Sequence, residues 1–217
     1  MIDYYEVKSQ PITRLMVWNA YKKVRANRGS SGVDDMSWDY LDRNAKYELY
    51  KLRNRMSSGS YFPKSVKEVS IKKNDGGERK LGIPTLLDRI GQEVVKTHLE
   101  KIAEPLFHAS SFGYRPKRSC HQAVSQSCNN CFGHDFVIDL VIKGFFDNID
   151  HELMLKAVRY FSKEKWVSLY ITRWLKAGIV QEEGTYIDRI TGTPQGGVIS
   201  PLLANMFLHI CFEVDGY

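Results

Sequence analysis

The chain has 217 residues, 43% of them hydrophobic, and its 31 Lys and Arg outweigh 25 Asp and Glu for a net charge of +6. That is enough chain to bury a core as one large or two small domains. No apolar run approaches the ~20 residues of a membrane span, Met1-Ile-Asp-Tyr-Tyr-Glu6 lacks the basic start and apolar core of a signal peptide, and four cysteines make no disulfide framework at this length. The expectation is a cytoplasmic protein with no membrane partner. Nothing in the sequence sets the oligomeric state, and a homodimer stays open.

Charge is unevenly placed. Residues 1–135 hold 23 Lys and Arg against 15 Asp and Glu, a net of +8, whereas residues 136–217 carry a net of −2. A basic part joined to a slightly acidic one suits a protein that grips phosphates with the first and metal with the second, although solvated surface is the plainer reading.

Along the chain, Leu15, Met16, Trp18, Ala20, Tyr21 and Val24 recur at helical spacing after Thr13, with Arg14, Lys22, Lys23, Arg25 and Arg28 at the other positions. Gly29-Ser-Ser-Gly32 ends that helix, and a second is predicted over Trp38 to Ser57, closed by Gly59. Val66 to Lys72 reads as a strand, Asn74-Asp-Gly-Gly77 as a turn and Arg79 to Ile83 as the return strand. Lys72, Lys73, Arg79 and Lys80 gather at the tip of this hairpin, an arrangement that suits a polyphosphate or is simply an exposed charged hairpin.

A helix from Thr85 to Ala103 follows, with His98 on its apolar stripe, packed rather than catalytic. Ser110-Ser-Phe-Gly-Tyr-Arg-Pro-Lys-Arg-Ser119 mixes aromatics able to stack on bases with cations able to meet phosphates, while Gly113 and Pro116 also suit a structural turn. Cys128-Asn-Asn-Cys131 lacks the further ligands of a structural zinc site, and no metal is expected there.

Phe136 to Ile142 is β-branched and aromatic and predicts a buried strand, with Val137, Asp139 and Val141 on one face. Gly144 breaks it, Asp147 reads as a turn or cap residue, and Asp150-His151 opens a helix carrying Leu153, Ala157 and Phe161. Trp166 to Ala177 predicts another helix, and Ile179 to Gln181 with Tyr186 to Arg189 a hairpin. Gly192-Thr-Pro-Gln-Gly-Gly197 forms a glycine-rich loop before a helix over Val198 to Phe212. In that loop Gln195 offers both a donor and an acceptor.

Three stretches together, Lys72 to Pro84, Phe136 to His151 and Thr193 to Asn205, resemble the reverse transcriptases encoded by bacterial group II introns. The likeness runs from about Trp18 to Phe212. It implies an α+β fold, helices packed on small antiparallel sheets, with fingers over 1–135 and a partial palm over 136–217. It implies an RNA-directed DNA polymerase that also binds intron RNA as a maturase, with an RNA template, a DNA primer and deoxynucleoside triphosphates as partners and Mg²⁺ as cofactor of the complete enzyme.

By position, the resemblance assigns Lys73 and Arg79 to the triphosphate, Phe146 to the aromatic that lies against the nucleotide sugar, and Gln195 and Gly196 to the nucleotide. Arg25, Arg28, Tyr114, Arg115 and Arg118 fall in its nucleic-acid-binding stretches. One departure is sharp: the family's metal-binding aspartate falls on Val141, which cannot ligate a cation, and Asp139 is a weak substitute two residues, ~7 Å, back along the strand. The family's later Tyr-Ala-Asp-Asp hairpin does not occur in these residues. The expectation is therefore a truncated, inactive form with no metal bound; a non-catalytic RNA-binding module with a degenerate polymerase fold is the alternative.

Overall fold

The computed structural model describes residues 9–72 and 76–214. Thr13 caps helix α1 (Arg14–Ala26), its hydroxyl accepting from the Met16 N–H at 3.2 Å, and Val17, Ala20, Tyr21 and Val24 form its buried stripe, whereas Leu15 and Trp18 of the expected apolar set are exposed. The expected helix over Trp38 to Ser57 is instead two, α2 (Trp38–Arg43) and α3 (Ala45–Ser57). The break falls at Asn44, where φ is −106° and ψ is 12°, and the Asn44 amide donates to the Tyr40 carbonyl at 2.9 Å. A short amide side chain that competes for helix carbonyls is a physical reason for the interruption.

Strands β1 (Val66–Lys72) and β2 (Glu78–Ile83) pair antiparallel as the turn chemistry predicts, with Ile71 opposite Arg79. Lys73 and the Asn74-Asp75 half of the expected turn lie outside the described residues. Helix α4 (Leu86–Ala103), capped by Thr85, is the core's central rod: Leu86, Ile90, Val95, Leu99 and Ala103 are fully buried, and α1 packs along it. Beyond α5 (Cys120–Cys131) and the single turn α6 (Phe145–Asn148), Asp150 caps α7 (His151–Phe161) by accepting from the N–H groups of Glu152 and Leu153 at 2.8 and 2.9 Å. Helix α8 (Lys165–Leu175) brings Tyr170, Ile171 and Leu175 into the core, and Arg173 donates to the carbonyls of Gly59 and Tyr61 at 2.8 and 2.5 Å, tying down the chain before β1.

A second hairpin, β3 (Ile179–Val180) and β4 (Tyr186–Ile187), is antiparallel, but β3 lies parallel to β1 through Val66–Ile179 and Lys67–Val180. The result is one mixed sheet in the order β2-β1-β3-β4 rather than separate antiparallel sheets. Helix α9 (Ser200–His209) continues as a π turn through Val214. Among the described residues no helix is long and apolar enough to cross a membrane.

The region between residues 119 and 142 departs from expectation. Helix α5 has a complete capping box at Ser119 and Gln122, yet none of its residues is buried. Phe136 to Ile142, expected as a buried strand, forms no strand, and its apolar side chains are exposed, Phe136 at 91% and Val141 at 86%. A strand exists only through its ladder partners, and no described strand lies beside this one.

Candidate functional site

The Thr193-Pro-Gln-Gly loop is strapped on three sides. Toward α6, Gly192 N–H donates to the Ile149 carbonyl and Thr193 N–H to the Phe146 carbonyl, both at 2.8 Å. Gly192 has φ +75°, and a Cβ there would lie 2.6 Å from the carbonyl oxygens of Phe146 and Asp147, so only glycine lets the two segments approach. Toward the sheet, Gly82 N–H donates to the Gln195 carbonyl at 2.8 Å, and a Cβ on Gly196 would lie 2.7 Å from the Gly82 oxygen. Toward α4, the Val198 N–H donates to the Gln92 side chain at 2.9 Å, while Ser200 donates to the Pro194 carbonyl at 2.9 Å.

This strapping opens a cleft of about 890 Å³, walled by β2 on one side and by residues 141–147 and 188–195 on the other. Arg79, Val141 and Gln195 all line it. The Arg79 Nε–H donates to Gln195 Oε1 at 3.0 Å, and Gln195 Nε2 donates to both oxygens of Asp147 at 3.2 and 3.1 Å. Lys80 meets Glu68 at 3.0 Å, and that hydrogen bond is the main reason its ammonium is held above the usual lysine range. Arg189 also lines the cleft; burial pulls its guanidinium below the usual range against the opposing pull of Asp147 and Glu68, and its buried Nη1 has no partner among the described residues.

Other expected site residues are placed differently. The Phe146 ring is half-buried edge-on to Phe145, with centroids 5.5 Å apart, and does not line the cleft. Asp139 is exposed and outside the cleft wall. Position 141 offers no carboxylate, and among the described residues no group of three or more His, Cys, Asp or Glu could hold a metal ion. The residues present thus do not fit a two-metal Mg²⁺ site. Lys73 lies outside the described residues.

Two of the five arginine and tyrosine candidates for nucleic acid are spent inside the protein. Arg115 is buried, its guanidinium donating to Glu104 at 2.9 to 3.2 Å and to the carbonyls of His108 and Ser111 at 2.7 and 2.8 Å. It organises its own loop. Arg25 chelates Asp42 at 2.9 and 3.1 Å and lies over the Trp38 ring, joining α1 to α2. Arg118 donates to the Ala109 carbonyl at 3.1 Å and covers Phe112. Arg28 and Tyr114 are exposed, both with positive φ, 44° and 55°.

Asp147 and Arg189 were not legible as cleft residues: Asp147 sits on α6 and Arg189 in irregular chain after β4, and only the approach of these two distant segments brings both to the cleft wall.

Residues 71–214 match the family described as reverse transcriptase (RNA-dependent DNA polymerase). The chain is 39% identical over 201 residues to the group II intron-encoded protein LtrA of Lactococcus lactis subsp. cremoris, covering 91% of this chain and 32% of that protein. It is 37% identical over 192 residues to protein YkfC of Escherichia coli (strain K12), covering 86% of this chain and 49% of the relative. The chain thus spans between about a third and a half of these relatives. Among solved structures, one titled a partial Cas6-RT-Cas1--Cas2 complex aligns with a TM-score of 0.58 at 20% identity, over 94% of this chain and 34% of that one. At that identity the likeness concerns the fold alone.

Proposed function

We propose, from the premise that the chain belongs to the reverse transcriptase (RNA-dependent DNA polymerase) family, that it supplies the fingers (1–135) and part of the palm (136–217) of a group II intron-type RNA-directed DNA polymerase that also binds intron RNA as a maturase. The observation that supports this reading most is that Arg79 and Gln195, 116 residues apart in sequence, meet in one cleft that Val141 also lines. There Arg79 is the fork for a nucleotide triphosphate, Gln195 a donor and acceptor for the nucleotide, and Gly196 the residue that lets the backbone come close. Lys73 is the second triphosphate cation, and Phe146 the aromatic beside the sugar. Template RNA and DNA primer are the polymeric partners, with Arg28, Tyr114 and Arg118 as the contacts open to them. The working compartment is the cytoplasm, where the thiols of Cys120, Cys128 and Cys131 stay reduced.

Mg²⁺ serves the family's chemistry, but these residues do not hold it, and with Val141 the chain is expected to extend no primer. Val141 also favours a second reading, a non-catalytic RNA-binding module that keeps the polymerase fold.

One experiment separates the two. Titration of dATP and of a structured RNA into wild-type protein and Arg79→Ala should show nucleotide affinity falling at least ~10-fold, the worth of a charge-assisted hydrogen bond, with RNA affinity nearly intact. Equal losses would assign Arg79 to the nucleic-acid backbone. RNA binding with no Arg79-dependent nucleotide binding would establish the second reading.

A further inference from the structure

We propose that Asp147 is a positioning residue of this cleft: it sets the polarity of the Gln195 amide and through it holds Arg79 ready for a polyphosphate. The proposal rests on the nucleotide reading of the cleft for its purpose, but the relay itself stands on donor and acceptor chemistry.

A carboxylate only accepts hydrogen bonds and a guanidinium only donates them. The Gln195 side chain bridges one of each, with Nε2 3.1 and 3.2 Å from the two Asp147 oxygens and Oε1 3.0 Å from Arg79 Nε. Its amide therefore fits in one orientation. Without Asp147 it can turn over and present N–H groups to a guanidinium, leaving Arg79 without its acceptor. Both backbones of the relay are fixed independently of these side chains. The Asp147 carbonyl accepts from the Thr191 hydroxyl at 3.2 Å, and the Gln195 carbonyl accepts from Gly82 N–H at 2.8 Å. What Asp147 adds is order in side chains that stand on fixed main chain.

Arg79 most needs that order. It lies exposed on β2, and a free arginine loses rotamer freedom when a ligand immobilises it. Arg189 backs the relay: its guanidinium and the Asp147 carboxylate attract each other across the cleft wall, which offsets the repulsion a bare carboxylate would exert on phosphate.

The test is a double-mutant cycle read by inorganic tripolyphosphate binding, with ¹H–¹⁵N spectra of the Gln195 amide and the Arg79 Nε–H as a second measurement. Asp147→Ala should weaken tripolyphosphate binding roughly three- to tenfold, the value of one hydrogen bond, and Asp147→Asn, which still offers an acceptor, should recover most of it. Simple electrostatics predicts the opposite, tighter binding in both variants. The double variant Asp147→Ala, Gln195→Ala should bind no worse than Gln195→Ala alone. In the spectra, the Gln195 and Arg79 signals should move to solvent-exposed values in Asp147→Ala and stay near wild type in Asp147→Asn. Additive losses, tighter binding, or unchanged signals in Asp147→Ala would each overturn the relay. If wild-type protein ignores tripolyphosphate, the nucleotide reading fails, and the spectra still decide whether Asp147 positions Gln195.

Discussion

The β1–β2 hairpin and the segment 136–142 make an instructive pair. The hairpin strands are largely polar, carrying Lys67, Glu68, Ser70 and Lys72 on β1 and Glu78, Arg79 and Lys80 on β2, yet they form a six-pair ladder. Phe136 to Ile142 is far richer in strand-favouring residues and forms none. Each hairpin strand closes onto a partner a few residues away, whereas the apolar run has no described neighbour. Strand propensity is a preference for a pleated, half-buried surface and is satisfied only when another element supplies that surface. Helix α5 repeats the lesson: its capping box is a local contract, fulfilled without any buried residue.

The contrast can be broken hardest where the packed part hands over to the exposed part, at Arg115. Its guanidinium side chain is 4% exposed and paired with Glu104. Arg115→Ala should cost ~3–5 kcal/mol in urea unfolding by leaving buried acceptors without a donor, and Lys should restore little because it lacks the planar fork. If the variant unfolds within about 0.5 kcal/mol of wild type, the loop is held by something else.

A sharper version compares two leucines. Leu99, 0% exposed on α4, should cost ~2–5 kcal/mol as Leu99→Ala, while Leu140, 77% exposed, should change stability by less than ~0.5 kcal/mol as Leu140→Ala. A large effect at Leu140 in the isolated 217-residue protein would mean that segment 136–142 is packed in solution.

The smallest effect is a difference in sign between two aspartates. Burial raises the Asp88 carboxyl above its ordinary value of 3.8, against hydrogen bonds from Thr85, Tyr61 and the Lys64 N–H that lower it. The folded state then binds a proton more readily than the unfolded one, so Asp88 contributes a stability gain as pH falls from above its raised value toward 3.8. Asp42 is held low, first by its hydrogen bond from Arg25 and then by that from Tyr21. Its contribution is present above the unfolded value and lost as pH falls through the folded one. Urea melts from pH 7 to 4 should therefore show the wild-type stability rising relative to Asp88→Asn, and carrying them below pH 3.8 should show it falling relative to Asp42→Asn. Parallel curves for the two variants would contradict these environments.

Much of the architecture is decided within four residues of chain and could be read there. Thr13, Thr85 and Asp150 each cap the helix expected after them, and the two strands flanking the expected turn pair as an antiparallel hairpin. The break at Asn44 is local too, but it rests on a choice between two carbonyl partners that periodicity does not reveal. Resemblance, more than chemistry, pointed to Arg79 and Gln195 as partners in one site.

What the sequence by itself determined is most of the helices with their caps, the β1–β2 pairing, and the family to which their order belongs, because those depend on neighbours a few bonds away. Only the tertiary structure decided that Asp147 faces Gln195 across 48 residues, that Arg115 and Arg25 are consumed by Glu104 and Asp42, and that Arg189 stands in the cleft wall. It also decided that the run Phe136 to Ile142 finds no partner among the described strands. A side chain's partner and its burial are properties of the whole packed molecule, and no local pattern of residue types contains them.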